Sequence, residues 1–292
     1  MSATRSQFIT ATTIGMSVLI GSADPASADP TIAFIFNNTV YEQTSSSAPV
    51  TPDHYFFSVG ATQTAGDFNS ASATYPGPGS PVSLPPISST EFNFGSPNIT
   101  SLAALHAAYP FGTYSITTTN TMTSASTTGV INYTADYFAS TVPYLTNYSA
   151  LNGLNPAAAF AFSFPTFTPN PSVTEGFTLL TIYDATTGLV VTGDEFQPPS
   201  TTSFTIPAYT LAPSHTYDFE LDFSDRLNGP LVGNAFTTQG FDLRTDGSFT
   251  TAPAPSIGFG LPVFLVVGGL WFGARLLARN PARRNSAVLT GA

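Results

Sequence analysis

From Phe160 to Phe249 the sequence reads as six short runs, FAFSF, FTLLTIYD, GLVVTGDE, SFTIPA, TYDFELDF and FDLRTDGSF, with Pro, Gly, Asn and Ser between them. Aromatic and β-branched residues in runs this short suit a pleated surface, and the gaps leave no room for crossover helices. Parallel strands need such crossovers, so the rhythm predicts antiparallel pairing in two packed sheets. Asp184–Gly188 (DATTG) fits a tight turn between two of the runs. Thr31–Gln43 and Asp53–Gln63 carry the same signature, and GTYSITTTNTM with GVINYTADYF alternates with period two and predicts a hairpin. Residues 66–90 are dense in Pro, Gly and Ser and read as a long loop. Ser101–Tyr109 (SLAALHAAY) is the helix expected here, capped by Ser101 and stopped by Pro110. The expected fold class is all-β, an antiparallel β-sandwich, with a boundary between two β regions near residue 150.

Charge is scarce: 8% of the 292 residues are charged, against a globular norm of about 25%. The 25 Phe and 12 Tyr are enough to build a core and argue against general disorder. There is no Cys, which removes disulfides, thiolate metal sites, Fe–S clusters and a cysteine nucleophile. All 7 cations are Arg, so Schiff-base chemistry and a phosphate-loop lysine are also out. The formal charge of −10 leaves nothing to hold a polyphosphate backbone, and nucleic acid is excluded as a partner.

The two ends are of a different kind. Arg5, an apolar stretch from Phe8 to Ile20, and then Ala26-Ser27-Ala28 have the order of a signal peptide over residues 1–28, cleaved after the small residues Ala26 and Ala28. No charge occurs between Ser248 and Ala274. Residues 257–277 (IGFGLPVFLVVGGLWFGARLL) would span the ~30 Å hydrocarbon core of a bilayer at ~1.5 Å per residue. Arg275, Arg279, Arg283 and Arg284 then place the tail, residues 285–292, in the cytoplasm and everything before the helix outside. Between these ends, residues 29–256 hold two cations, Arg226 and Arg244, and sixteen carboxylates, a net of −14. A surface of that sign avoids anionic partners and can recruit divalent cations.

Pro253-Ala254-Pro255, the apolar helix and the arginine cluster, in that order over residues 253–284, resemble the PEP-CTERM sorting signal of Gram-negative bacteria, with Ala254 where the family carries Glu. The resemblance implies export, recognition by an exosortase-like sorting enzyme at the membrane, and retention at the envelope or with extracellular polysaccharide. In the second half, Leu211-Ala-Pro213-Ser-His-Thr216-Tyr217 resembles the Leu-x-Pro-x-x-x-Tyr corner of fibronectin type III-like domains. That resemblance implies a sandwich over residues 151–252, beside an N-terminal β-rich region at 29–150, and a Tyr217 hydroxyl bonded back to the main chain.

Asp218, Glu220 and Asp222 alternate with Phe219, Leu221 and Phe223, which puts three carboxylates on one face of one strand. With Asp225 close behind they offer hard oxygen ligands for Ca²⁺, and Asp184, Asp194 and Glu195 flank a hairpin that could complete the set. No DxDxDG-type loop supports a metal, so the preferred reading is a solvent-facing strand whose other side is core. His54, His106 and His215 show no ligand spacing, and neither HExxH nor GxSxG occurs. Tyr133, Tyr137, Tyr144 and Tyr148 form an exposed tyrosine stock able to stack on sugars, the alternative being strand and corner packing. The expected function is that of an exported, membrane-anchored or sorted, non-enzymatic surface protein of structural or adhesive type, without a cofactor. A carbohydrate- or calcium-binding module and an extracellular hydrolase are the alternatives.

Overall fold

Alternating sequences form long strands here because one parity is apolar enough to be buried: in Thr216–Asn228, Tyr217, Phe219, Leu221 and Phe223 are core, while Asp218, Glu220 and Asp222 between them are half-buried. The computed structural model describes residues 31–64, 67–230 and 235–254. In chain order its strands are β1 (Thr31–Glu42), β2 (His54–Thr62), β3 (Ser70–Thr74), β4 (Val82–Leu84) and β5 (Glu91–Gly95); helix α1 (Leu102–Ala108) follows. Then come β6 (Gly112–Asn120), β7 (Ala125–Tyr133), a 3-10 turn (Tyr148–Leu151), β8 (Phe160–Ser163), β9 (Glu175–Asp184) and β10 (Val190–Gln197). The last are β11 (Ser203–Ile206), β12 (Thr216–Asn228) and β13 (Ala235–Thr250). The protein is mostly β, as expected.

Seven strands form one sheet in the order β10-β9-β12-β13-β1-β2-β5, with a four-stranded sheet β4-β3-β6-β7 and a two-stranded sheet β11-β8 beside it. Neighbours run antiparallel except β1 and β13, which pair in parallel from Thr31 opposite Ala235 to Glu42 opposite Asp246. Nearly the whole chain between these two strands makes the crossover, in place of the helix that parallel neighbours usually need. The same pairing ties the first strand of the N-terminal region to the last strand of the C-terminal one. The chain divides into the units Met1–Ala252 and Pro253–Ala292, and residue 150 falls inside the first. The second-half strands alone would leave β13 an open edge, and β1 closes it.

Local expectations at the turns are met with named contacts. Ser101 Oγ accepts the Ala104 N–H at 3.2 Å and caps α1, whose Leu105 is buried. Asp184 Oδ1 accepts the N–H groups of Thr186 and Thr187 at 2.8 and 2.9 Å, which closes the β9–β10 turn. The Ala212 N–H donates to Tyr217 Oη at 2.7 Å, with Leu211 and Tyr217 both buried, so the fibronectin-like corner is present. Residues 66–90 differ from expectation: β3 and β4 lie within them, held because Ala71, Ala73 and Leu84 face the core.

One face of the large sheet is the core face. Over β9, β12 and β13 it packs Leu180, Ile182, Phe219, Leu221, Phe223 and Leu243 against Phe162 of β8 and Ile206 of β11. Over β1 and β2 it packs Ala33, Ile35, Phe57 and Val59 against Tyr114, Ile116, Ile131 and Tyr133 of the four-stranded sheet. Burying each large apolar side chain is worth ~1.5–3 kcal/mol, so these two clusters dominate the stability of the unit. The signal-cleavage residues Ala26 and Ala28, Pro255, the membrane span 257–277 and Arg275, Arg279, Arg283 and Arg284 lie outside the described residues. Among the described residues no helix is long and apolar enough to cross a membrane.

Candidate functional site

The opposite face of the large sheet carries the alternate residues of the same strands. A cavity of about 140 Å³ is lined there by side chains from all seven strands, from Phe196 on β10 to Glu91 and Asn93 on β5. On a flat sheet, six spacings of ~4.8 Å would hold those edge strands roughly 29 Å apart. The sheet therefore curls, and this is its concave face.

Phe34 and Phe36 on β1 make the floor, with ring centroids 5.0 Å apart. Each ring rests on a glycine of a neighbouring strand: an added Cβ would sit 2.4 Å from the Phe34 ring at Gly60 and 1.8 Å from the Phe36 ring at Gly240. Only glycine permits that approach of ring to backbone. The Arg226 guanidinium stacks on Phe36 at 4.4 Å from its centroid, and its Nη1 donates to Asp242 Oδ1 at 2.5 Å. Ser224 Oγ donates to the same carboxylate oxygen at 2.6 Å. Arg244 bridges two carboxylates, with Nη2 at 2.5 Å from Glu220 Oε1 and Nε and Nη2 donating to Asp246 at 2.6 and 2.9 Å. Tyr183 Oη donates to the other Glu220 oxygen at 3.0 Å.

Acids outnumber cations in this groove, and its electrostatics follow from burial. Burial pushes the Asp222 carboxyl well above the usual range; nearby Arg244 opposes this, while Glu220 and Asp242 add to it. Burial likewise raises Glu220 against the pull of Arg244. Burial disfavours the charge on Arg244, but Glu220, Asp246 and Asp222 together hold its pKa above the ordinary value. On β5, burial raises Glu91 from 4.5 to about 7, relieved only in part by a hydrogen bond with Asn93. Glu91 is 7% exposed and Asn93 5%, and among the described residues Glu91 Oε1 and Asn93 Oδ1 have no hydrogen-bond partner.

The structure places Asp218, Glu220 and Asp222 on one face, as alternation requires. At Glu220 and Asp222 that face lines the groove and is not an open, solvent-facing strand. Among the described residues no three His, Asp or Glu side chains stand close enough to hold a metal ion. Glu220 is engaged by Arg244 and Tyr183 instead. Asp225 belongs to the other parity, is fully buried, and accepts the Asn170 N–H at 3.0 Å; burial raises its pKa to about 6.

Each histidine pairs with its own aspartate: His54 Nδ1 with Asp53 at 2.8 Å, His106 Nε2 with Asp136 at 2.8 Å and His215 Nε2 with Asp184 at 2.6 Å. None of the three lines the groove. Backbone hydrogen bonds from Thr187 and Thr186, with His215, also hold the Asp184 carboxyl below its usual pKa. The tyrosine stock is not an exposed platform. Tyr133 is buried and donates to Asp136, while Tyr137, Tyr144 and Tyr148 are half-buried, the last donating to the Ser248 carbonyl at 3.1 Å. Tyr133, Tyr137 and Tyr148 pack in or against the two core clusters.

Arg226, Arg244, Phe34, Phe36, Glu91 and Asn93 were not legible as site residues from the sequence. One signal was available for the arginines. Charges at alternate positions in TYDFELDFSDR and FDLRTDG face one another when the two runs pair, and the register sets Asp222 opposite Arg244 and Glu220 opposite Asp246.

No protein-family model matches this chain, and no curated protein matches it. Among solved structures it is similar to the FN1-FN3 domains of chicken CNTN1, at 9% identity over 78% of this chain and a TM-score of 0.25. It is also similar to the BSP domain of a biofilm associated protein, at 13% identity over 70% of this chain and a TM-score of 0.21. A third similarity is to domains from titin, at 12% identity over 66% of this chain and a TM-score of 0.19. The chain spans 66%, 28% and 59% of the lengths of those three structures.

Proposed function

We propose that this chain is an exported, non-enzymatic surface protein of structural or adhesive type, whose β body presents the curled sheet's groove as a recognition surface. One observation carries this reading. A sheet face is left open with an aromatic floor, and it buries acceptors that find no donor among the described residues. Burying a polar atom without a partner costs ~1–3 kcal/mol, and a bound ligand that supplies donors removes that penalty. The ends of the sequence support display outside the cell. The second unit begins at Pro253, where the tail resembling a PEP-CTERM signal also begins, so an exosortase-like enzyme would act on a segment distinct from the β body. Retention at the envelope or with extracellular polysaccharide follows from such sorting.

Cells producing the full chain, or the chain cut after Ala252, test this by fractionation, protease treatment of intact cells and mass spectrometry of the mature C-terminus. The full chain is expected in the envelope fraction, with its body open to protease and its C-terminus short of Ala292. The shortened chain is expected in the medium. A body shielded from protease on intact cells, for either chain, overturns the reading.

A further inference from the structure

We propose that the groove binds a protonated primary amine, with Asp222 and Glu91 as its counter-charges and the Phe34–Phe36 floor as its apolar contact; this rests on the groove being a recognition surface. The two cations of the groove are already committed. Arg226 is held by Asp242 at 2.5 Å, and Arg244 by Glu220 at 2.5 Å and Asp246 at 2.6 Å. Among the described residues no ion pair reaches Asp222 or Glu91, although both line the cavity.

Beyond this acidic lining, a second observation points to a ligand. Glu91 and Asn93 are more than nine-tenths buried, at 7% and 5% exposure, both line the cavity, and each carries an oxygen without a hydrogen-bond partner among the described residues. What the groove lacks is therefore a group that is positively charged and rich in donors. An ammonium has three N–H donors and no acceptor. The floor suits the same group, since aromatic faces attract cations, and Phe36 already accepts the Arg226 guanidinium in this way.

Other ligand chemistries fit less well. A divalent cation needs several oxygen ligands converging on one point, and among the described residues no such group of three forms. A neutral polyol would satisfy the orphan acceptors but would leave the charge of Asp222 and Glu91 unanswered. An anion would meet repulsion from every uncommitted group in the wall.

Isothermal titration of the full chain at pH 7.5 tests this with butylammonium, its neutral counterpart butanol, glucose and calcium chloride as separate probes. Butylammonium is expected to bind at least tenfold more tightly than butanol or glucose. Glu91→Gln and Asp222→Asn, tested separately and each checked for an unchanged circular dichroism spectrum, are each expected to weaken it about tenfold. Should one variant misfold, the other and the butylammonium–butanol contrast still decide. Binding of glucose or calcium with butylammonium silent overturns the amine and leaves the groove a recognition surface. Equal binding of butylammonium and butanol, or full binding by both variants, also overturns it. Silence from all four probes removes the recognition reading as well.

Discussion

The two faces of the seven-stranded sheet are built by alternate residues of the same strands, yet they bury opposite chemistries. On β12 the odd positions Phe219, Leu221 and Phe223 are completely buried against other apolar groups. The even positions Glu220, Asp222, Ser224 and Arg226 meet charges and hydroxyls across the groove. On β1 the contrast is finer: Ala33 and Ile35 are core, while Phe34 and Phe36, equally apolar, form the floor of a polar cavity. Hydrophobicity at a position thus does not decide which face it serves. Parity does, and the curl of the sheet decides whether the second parity meets water or itself.

The largest expected effect tests whether the faces really differ. Phe219→Ala removes a fully buried ring from the core face and should destabilise the full chain by ~3–5 kcal/mol. Phe36→Ala removes a half-buried ring that lines an open cavity, and it should cost only ~1–2 kcal/mol. Urea denaturation followed by far-ultraviolet circular dichroism measures both. Equal losses would make the groove a second core and end its candidacy as a binding site.

This difference between the faces also explains how much could be read from sequence. The strand runs of the second half, the Ser101 cap, the Asp184 turn and the Tyr217 corner depend on residues within a few positions of one another, and each is present. Three features depend on partners about a hundred or more residues away. The parallel β1–β13 pair joins the ends of the body, residue 150 falls inside the unit that this pair spans, and the Phe36 ring of β1 comes to face Arg226. The carboxylates of β12 were legible as one face, but a strand pattern carries no information about curvature. Asp222 therefore read as solvated, whereas it lines the groove and burial pushes its carboxyl above the usual range. Glu91 gave no sign at all, standing directly after the loop expected over residues 66–90.

Glu91 gives an intermediate effect, and its sign depends on pH. The carboxyl is raised by burial from 4.5 to about 7, so folding favours its protonated form. Its stabilising contribution is complete below pH 4.5 and is lost as pH rises through 7. Glu91→Gln keeps the shape and discards the charge. It should be near neutral at pH 4 and should raise stability by roughly 3 kcal/mol at pH 8, because a shift of one unit is worth ~1.36 kcal/mol. Urea midpoints of both proteins at the two pH values give the result. A gain independent of pH would mean that the carboxyl is not buried as charge, and would remove the groove's electrostatic distinction from the core face.

The smallest effect lies on the core side, at a polar atom on the edge of its apolar cluster. Tyr217 is 3% exposed, and its hydroxyl accepts the Ala212 N–H at 2.7 Å, so the corner satisfies a main-chain donor at the rim of an apolar cluster. Tyr217→Phe keeps the ring packed and strands that donor, which should lower stability by ~1–2 kcal/mol. The urea midpoint should fall with the slope unchanged, since the surface exposed on unfolding is the same. An unchanged midpoint would mean that water replaces the hydroxyl at Ala212. The corner would then be wet, and the core face would admit solvent at its edge as the groove does across its width.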